Sequence, residues 1–285
     1  MASRQLHIGC EFVYRAEVPT AAVLLVAPRA DQPVPVTDER WQLEPELTTT
    51  SYLDLYGNQC VRLTIPSGRS VLRYDAVAQV PDATEEADGD APELAPVDLP
   101  DDVLVYTLPS RYCVPDVLGD EAWNRFADVA PGYGRVQAIC DHVNQHLEFR
   151  YGSSSALSTA ADVFASGYGV CRDFTHLAIT FCRAMNIPAR YVFGYLPDMD
   201  VEPDPAPMDF AAWMQVWLGN RWWTFDPRNN RRRKGRVLIG VGRDASDVAM
   251  VTTFGAPTLE SMVVHSQELV GGAAAQHTSS HGATR

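Results

Sequence analysis

The strongest constraint on the fold is the stretch from 211 to 227, AAWMQVWLGNRWWTFDP, in which two apolar, aromatic-rich runs flank Gly219-Asn220. A Gly-Asn pair between such runs specifies a two-residue hairpin turn. Side chains on a strand alternate faces with a period of two, so the turn fixes every partner across the hairpin. Leu218 opposes Arg221, Val216 opposes Trp223, Trp213 opposes Asp226, and Ala211 opposes Arg228. Ala211, Trp213 and Asp226 then share one face. Diagonal neighbours on such a face lie roughly 7–8 Å apart, a gap that an imidazole at position 211 would close onto the Asp226 carboxylate. Ala211 offers no such group.

The segment leading to this hairpin mixes helix and strand. EAWNRFADVA and RVQAICDHVNQHLEF have helical spacing, and YGSSSALSTAADVFASGYG is a polar loop running into a short helix that stops at Gly167 or Gly169. VCRDFTHLAITFCRAMNI is strongly periodic and ends at Pro188, and ARYVFGYLP reads as a strand. Cys171 falls at the first turn of the long helix, where unpaired N–H groups and the helix dipole favour a thiolate. It is therefore a candidate nucleophile, with nearby N–H groups available to an oxyanion. The competing reading of any one cysteine is a small core residue.

Upstream of residue 81 the pattern is different. QLHIGCEFVYRAEV, AAVLLVAP, QCVRLTIP and SVLRYDAVAQV are short apolar or alternating runs broken by Pro, Gly, Asn and Asp, which predicts an antiparallel β-sandwich or barrel in residues 1–80. Residues 81–102 hold nine acidic residues and no Lys or Arg, so of the net charge of −13 only −4 belongs to the rest of the chain. This Pro- and Ala-rich acidic run reads as a solvated linker, followed by an α+β core over 103–270 and a small, polar, disordered tail over 271–285. The N-terminus lacks a signal-peptide core and no apolar run approaches the ~20 residues needed to span a bilayer, which predicts a cytoplasmic protein with no membrane partner. Cys10, Cys60, Cys113, Cys140, Cys171 and Cys182 form no CxxC pair, as expected of reduced thiols rather than a zinc ribbon or disulfide framework.

SGYGVCRDFTHLAITFCRAMNIPARYVFGYLP followed by MDFAAWMQVWLGNRWWTFDPRNN resembles the transglutaminase-like superfamily. LDLYGNQCVRLTIPSGRSVLRYDAVAQV is similar to the β-rich domain that precedes that core in bacterial members, so the resemblance covers most of residues 6–255. It implies a papain-like Cys-His-Asp core, with the nucleophile on Cys171 and the orienting carboxylate on Asp226. The family histidine, normally followed by Ala-Trp, falls on Ala211. What the resemblance implies chemically is thiolate attack on an amide or thioester carbonyl through an acyl-enzyme, with a peptide, protein or acyl thioester as substrate. No cofactor is implied. Loss of the base makes an impaired enzyme the expectation, and two alternatives stand beside it. One is a pseudoenzyme that binds a peptide or protein partner in the retained cleft; the other is an engineered His-to-Ala form of an active enzyme.

The remaining candidates have plainer readings. His176 lies about 140° around its helix from Cys171 and is expected to face away as a structural residue. His142 and His146 have helical HxxxH spacing but lack a third ligand, so they read as a solvated face, and no metal site is expected. His7 and His265 stand alone, and His277 and His281 fall in the tail. RNNRRRKGR at 228–236 reads as basic surface on an acidic protein, a poor match to nucleic acid. Trp213, Trp217, Trp222 and Trp223 are candidates for an acyl-binding cleft, Trp213 first among them, against the usual reading of core aromatics. No EF-hand-like loop suggests calcium.

Overall fold

The computed structural model describes residues 2–269, so the tail expected over 271–285, with His277 and His281, lies outside the described residues. The N-terminal part consists of β1 (Ser3–Ala16), β2 (Thr20–Leu24), β3 (Val36–Glu44), β4 (Thr50–Leu53), β5 (Gln59–Ile65) and β6 (Gly68–Pro81). Alternation builds these strands: in β1, Leu6, Ile8, Cys10 and Phe12 are all buried while His7 and Glu11 stand on the opposite face. The runs expected as strands become β1, β2, β5 and β6. β3 and β4 escaped the sequence reading because as edge strands they bury almost nothing, and no apolar alternation marks them.

The second part contains α1 (Gly119–Phe126), α2 (Tyr133–His146), β7 (Glu148–Phe149), α3 (Ala160–Ser166), β8 (Tyr168–Gly169) and α4 (Cys171–Ala184). β9 (Ala189–Tyr195), β10 (Ala211–Leu218), β11 (Arg221–Phe225), β12 (Val237–Gly242), β13 (Val251–Thr253) and β14 (Thr258–Glu268) complete the chain. Strands β11-β10-β9-β12 form one antiparallel sheet, and α4 lies against β9 and β10. The last two strands return to the N-terminal sheets, giving the orders β14-β1-β6-β3 and β13-β2-β5-β4. The architecture is α+β with antiparallel main sheets, and one continuous apolar core runs through both parts.

Two tethers make the parts continuous. The free edge of β12 is satisfied from the N-terminal region: Gln32 bonds both backbone groups of Leu238, and buried Asn58 bonds both of Val241. The acidic run is the second tether: most of its residues are exposed, but a few points anchor it. Its Ala91 and Leu99 are buried, the Pro92 carbonyl accepts from Gly219 N–H at 2.7 Å, and Glu93 pairs with buried Arg135 at 3.0 Å. Glu85 pairs with Arg236, and Asp82 accepts from Lys234 at 2.7 Å. Two acidic residues that composition assigned to solvent, Asp82 and Glu85, are partners of the basic turn at 228–236. Among the described residues no helix is long and apolar enough to cross a membrane.

Candidate active site

Local chemistry fixes where Cys171 stands. α3 ends on Gly167 at φ +76°, a left-handed position that favours glycine. At Gly169 an added Cβ would lie 2.7 Å from the Asp173 Cβ, so this glycine lets the chain pass close over the first turn of α4. Asp173 is fully buried and accepts from Val170 N–H at 2.8 Å, which seals the helix start. Cys171 is the first residue of that helix. Its N–H and that of Arg172 precede the first repeating bond, Phe174 N–H to the Val170 carbonyl at 3.2 Å.

β10 brings the opposite wall. The hairpin has the expected register, Leu218 to Arg221 and Val216 to Trp223, and it continues to Met214 opposite Phe225. Ala211 opens β10 and pairs with Gly194 of β9. Cys171 and Ala211 line one cleft of about 220 Å³, together with Phe149, Tyr151, Asp209 and Arg228. Position 211 therefore faces the same cavity as the thiol. A second cavity of about 450 Å³ lies away from Cys171, between Arg29, Arg190, Trp222 and the Glu85 segment.

Burial pushes the Cys171 thiol up to about 11. Arg228 and the N–H groups of Ala212 and Arg172 oppose that rise, while Asp209 adds to it. Asp209 stands at the cleft mouth, and crowding by the walls holds its carboxyl above the ordinary carboxylate range. It is the ionisable acid that charge interaction links most strongly to the thiol, and sequence reading overlooked it because no motif marks it.

Asp226 lies just past the end of β11, and both its oxygens are occupied. Oδ1 accepts from Arg228 N–H at 3.1 Å and Asn229 N–H at 2.9 Å; Oδ2 accepts from the Asn229 amide at 2.8 Å and from Arg236 at 2.6 Å. Burial pushes this carboxyl up, but Arg236 and the Asn229 donors outweigh it, and the net shift is downward. Arg236 also lies over the Trp213 ring, 4.6 Å from its centre. Trp213 is fully buried in a small cluster with Val192 and Val241. The acyl-cleft role expected for it does not follow, because its indole is core and the cleft is lined by Phe149, Tyr151 and Phe210 instead.

The other histidines of the core are accounted for by packing. His176 is 1% exposed and stacks on Tyr112 and Tyr191, with Nε2 accepting from Ala245 N–H at 3.1 Å. Burial lowers its pKa to about 3, so it is neutral, as expected of a structural residue. His142 and His146 do not form a solvated face: His142 packs on Phe126 and Phe181, and His146 stacks on Phe164 with Nε2 bonded to the Phe164 carbonyl at 2.8 Å. Four of the six cations of the basic run have acidic partners. Arg228 pairs with Asp204, Arg233 with Asp198, Lys234 with Asp82 and Asp200, and Arg236 with Glu85 and Asp226.

Known proteins share this fold. Residues 123–227 match the transglutaminase-like superfamily core. The crystal structure of a proposed cysteine protease from Cytophaga hutchinsonii superposes with a TM-score of 0.85 at 28% identity, over 96% of this chain and 93% of that one. An uncharacterized protein of Mycobacterium leprae is 28% identical over 233 residues, 79% of this chain and 82% of its own length. An uncharacterized Mycobacterium tuberculosis protein is 29% identical over 147 residues, 47% of this chain and 46% of its own. Cys171 at a helix start and the first residue of the β10–β11 hairpin line one cleft, and the segment that carries both, residues 123–227, is a core of the transglutaminase-like superfamily.

Proposed function

We propose that the protein is a cysteine-dependent centre for acyl transfer or hydrolysis at an amide or thioester carbonyl, impaired by the alanine at position 211. The observation that carries this reading is the shared cleft: Cys171 lines the same 220 Å³ space as Ala211, and the N–H groups of Ala212 and Arg172 favour its thiolate. Those N–H groups are suitably placed to stabilise an oxyanion once the sulfur attacks a carbonyl. Asp226 is the carboxylate that would orient a base at 211. The description of the Cytophaga protein as a proposed cysteine protease supports a peptide or protein as one substrate class, with acyl thioesters as the other. Six free thiols fit a reducing, cytoplasmic setting.

The thiol proton is the obstacle. With the pKa near 11, attack on an ordinary amide needs an acceptor that Ala211 does not supply, whereas an activated thioester or aryl ester makes a weaker demand on the nucleophile. Incubation with a p-nitrophenyl ester and with an acyl thioester, followed by intact mass measurement, should reveal an acyl adduct on Cys171 that is absent in Cys171→Ser. Absence of that adduct in both the unaltered chain and Ala211→His removes the reading.

A second reading rests on Asp226. Its oxygens are fully engaged and Cys171 is held protonated, the state of a cleft that binds a peptide without turning it over. Peptide binding that is equal in the unaltered chain and Cys171→Ser, with no adduct in either, selects it.

A further inference from the structure

The sheet β14-β1-β6 brings together three residues that the sequence shows as unrelated: His7 on β1, Asp75 on β6 and His265 on β14. Gly9 pairs with Asp75 on one side and with His265 on the other, which makes one rung of the sheet, and His7 lies two residues along the same face of β1. Gly9 is what permits the cluster. An added Cβ there would lie 2.6 Å from His265 Cε1 and 2.7 Å from its Nε2, so a side chain at position 9 would occupy the space that the imidazole takes over β1.

The donor atoms converge. His7 Nε2 lies 3.3 Å and His265 Nε2 3.2 Å from Asp75 Oδ1, and all three atoms lie within 4.8 Å of one another. A tetrahedral zinc ion with bonds of about 2.0–2.1 Å holds neighbouring donors roughly 3.3 Å apart. Two edges of the observed triangle already have that length. The nearby carboxylate Glu11 is paired with Arg73. In front of them is a cavity of about 210 Å³ lined also by Cys10, Glu11, Arg73 and Val263, with space for water or a further donor. Two imidazoles and one carboxylate suit Zn²⁺ and its first-row neighbours rather than Ca²⁺ or Mg²⁺, which take oxygen ligands.

We propose that His7, Asp75 and His265 bind one first-row transition-metal dication, with Zn²⁺ as the reference ion, and that the ion clamps the returning strand β14 to β1 and β6. The three ligands come from the beginning, the first third and the end of the described chain, so the ion closes the longest-range strand pairing in the fold. Chain-closing links of this kind stabilise through the native state alone, because the unfolded chain holds the ligands apart.

The test uses the full chain, stripped with a chelator and titrated calorimetrically with ZnCl₂, with Co²⁺ absorption as the second probe. One equivalent is expected, together with a rise in thermal midpoint and the visible bands of low-symmetry cobalt. His7→Ala is suited as a probe because its side chain is 39% exposed, and Asp75→Asn keeps the shape of the carboxyl. Each variant should weaken Zn²⁺ by more than the ~10–100-fold that loss of an outer-shell partner costs. Circular dichroism of the stripped variants confirms that they are folded. Cys171→Ser should bind Zn²⁺ unchanged, which separates this site from the cleft and leaves the two readings independent. Failure to take up a stoichiometric ion overturns the proposal, as does Zn²⁺ binding that persists undiminished in both variants.

Discussion

The reactivity of Cys171 as a function of pH is the sharpest test of the site. Burial lifts the thiol to about 11, which leaves roughly one thiolate in 10⁴ at pH 7. A free cysteine with a pKa of ~8.5 has about 3% thiolate there, some 300-fold more. The more basic thiolate recovers part of the deficit, because nucleophilicity rises with pKa at a slope of about 0.4–0.5, worth roughly tenfold over ~2.5 units. Cys171 should therefore react with iodoacetamide at pH 7 about 30-fold more slowly than a free thiol, and its rate should climb steadily to the alkaline limit of the assay. The remaining five cysteines are buried, so peptide mapping after labelling isolates position 171. Ala211→His places an imidazole in the same cleft. If it forms an ion pair with the thiol, as His-paired cysteines do at pKa values near 3–4, the thiolate fraction at pH 7 approaches one while its intrinsic nucleophilicity falls. The two effects leave a net gain of about tenfold at pH 7 and a plateau extending into acid. Two outcomes refute the reasoning. Labelling of the unaltered chain at the free-thiol rate means that burial does not control the thiol, and an unchanged profile in Ala211→His means that position 211 does not face it.

Further predictions follow from the same contacts. Ala211→His should raise hydrolysis of an acyl thioester by the ~10²–10⁴-fold associated with a positioned base, and Cys171→Ser in that background should abolish the gain. Arg236→Leu strands Asp226, whose side chain is 2% exposed, and breaking such a buried pair should cost about 3–5 kcal/mol in urea unfolding at neutral pH. The pH dependence has a definite sign: the Asp226 carboxyl is depressed in the fold, so its contribution is present above the unfolded value of ~3.9 and is lost as pH falls through the lower folded value. Arg236→Leu should therefore lose less stability on acidification than the unaltered chain does. Gly194→Ala places a Cβ 2.7 Å from Trp213 Cη2 and closer still to the Val237 carbonyl, and should cost about 1–3 kcal/mol with a shift in tryptophan fluorescence.

What could be read in the sequence was local. The Gly219-Asn220 turn fixed the β10–β11 register because a two-residue loop leaves the strands no other pairing, and that register carries Ala211 to the start of the strand. Cys171 was legible because helix periodicity and the preceding glycines mark a helix start. The pairing of β14 with β1 was not, since its partners lie some 250 residues apart and nothing in TLESMVVHSQE names them. The fate of the acidic run was hidden for a related reason. Composition counts charges and says nothing of their partners, and Glu85, Glu93 and Asp82 find theirs on Arg236, Arg135 and Lys234. Trp213 shows the limit of face assignment. It lies on the strand that presents Ala211 to the cleft, yet Arg236 and Gly194 close over its ring, so that sharing a strand face with the site does not bring it to the cavity.

Cys171 and Asp226, the two residues on which the proposed centre is built, do not carry equal weight. Asp226 would persist in this fold without any chemistry to perform: it neutralises Arg236, caps the turn through Arg228 and Asn229, and thereby ties the acidic segment at Glu85 to the hairpin. Its presence in the chain is explained by stability alone. Cys171 has no comparable structural tie. It is the one half-buried cysteine among six, it opens on a cavity, and its neighbours at the helix start are held by Asp173 and Gly169 whichever side chain occupies position 171. A serine there should leave the fold intact, because the helix start is sealed through backbone groups and the Asp173 carboxylate. It follows that the discriminating comparison is between Cys171→Ser and Asp226→Asn. The first should change reactivity and cost less stability than the second, because it removes no charge pair. The second, by weakening the Arg236 and Asn229 contacts, should lower stability whether or not the centre turns over. A stability loss in Cys171→Ser matching that of Asp226→Asn would make the thiol another core residue, and the acyl-transfer reading would lose the feature on which it rests.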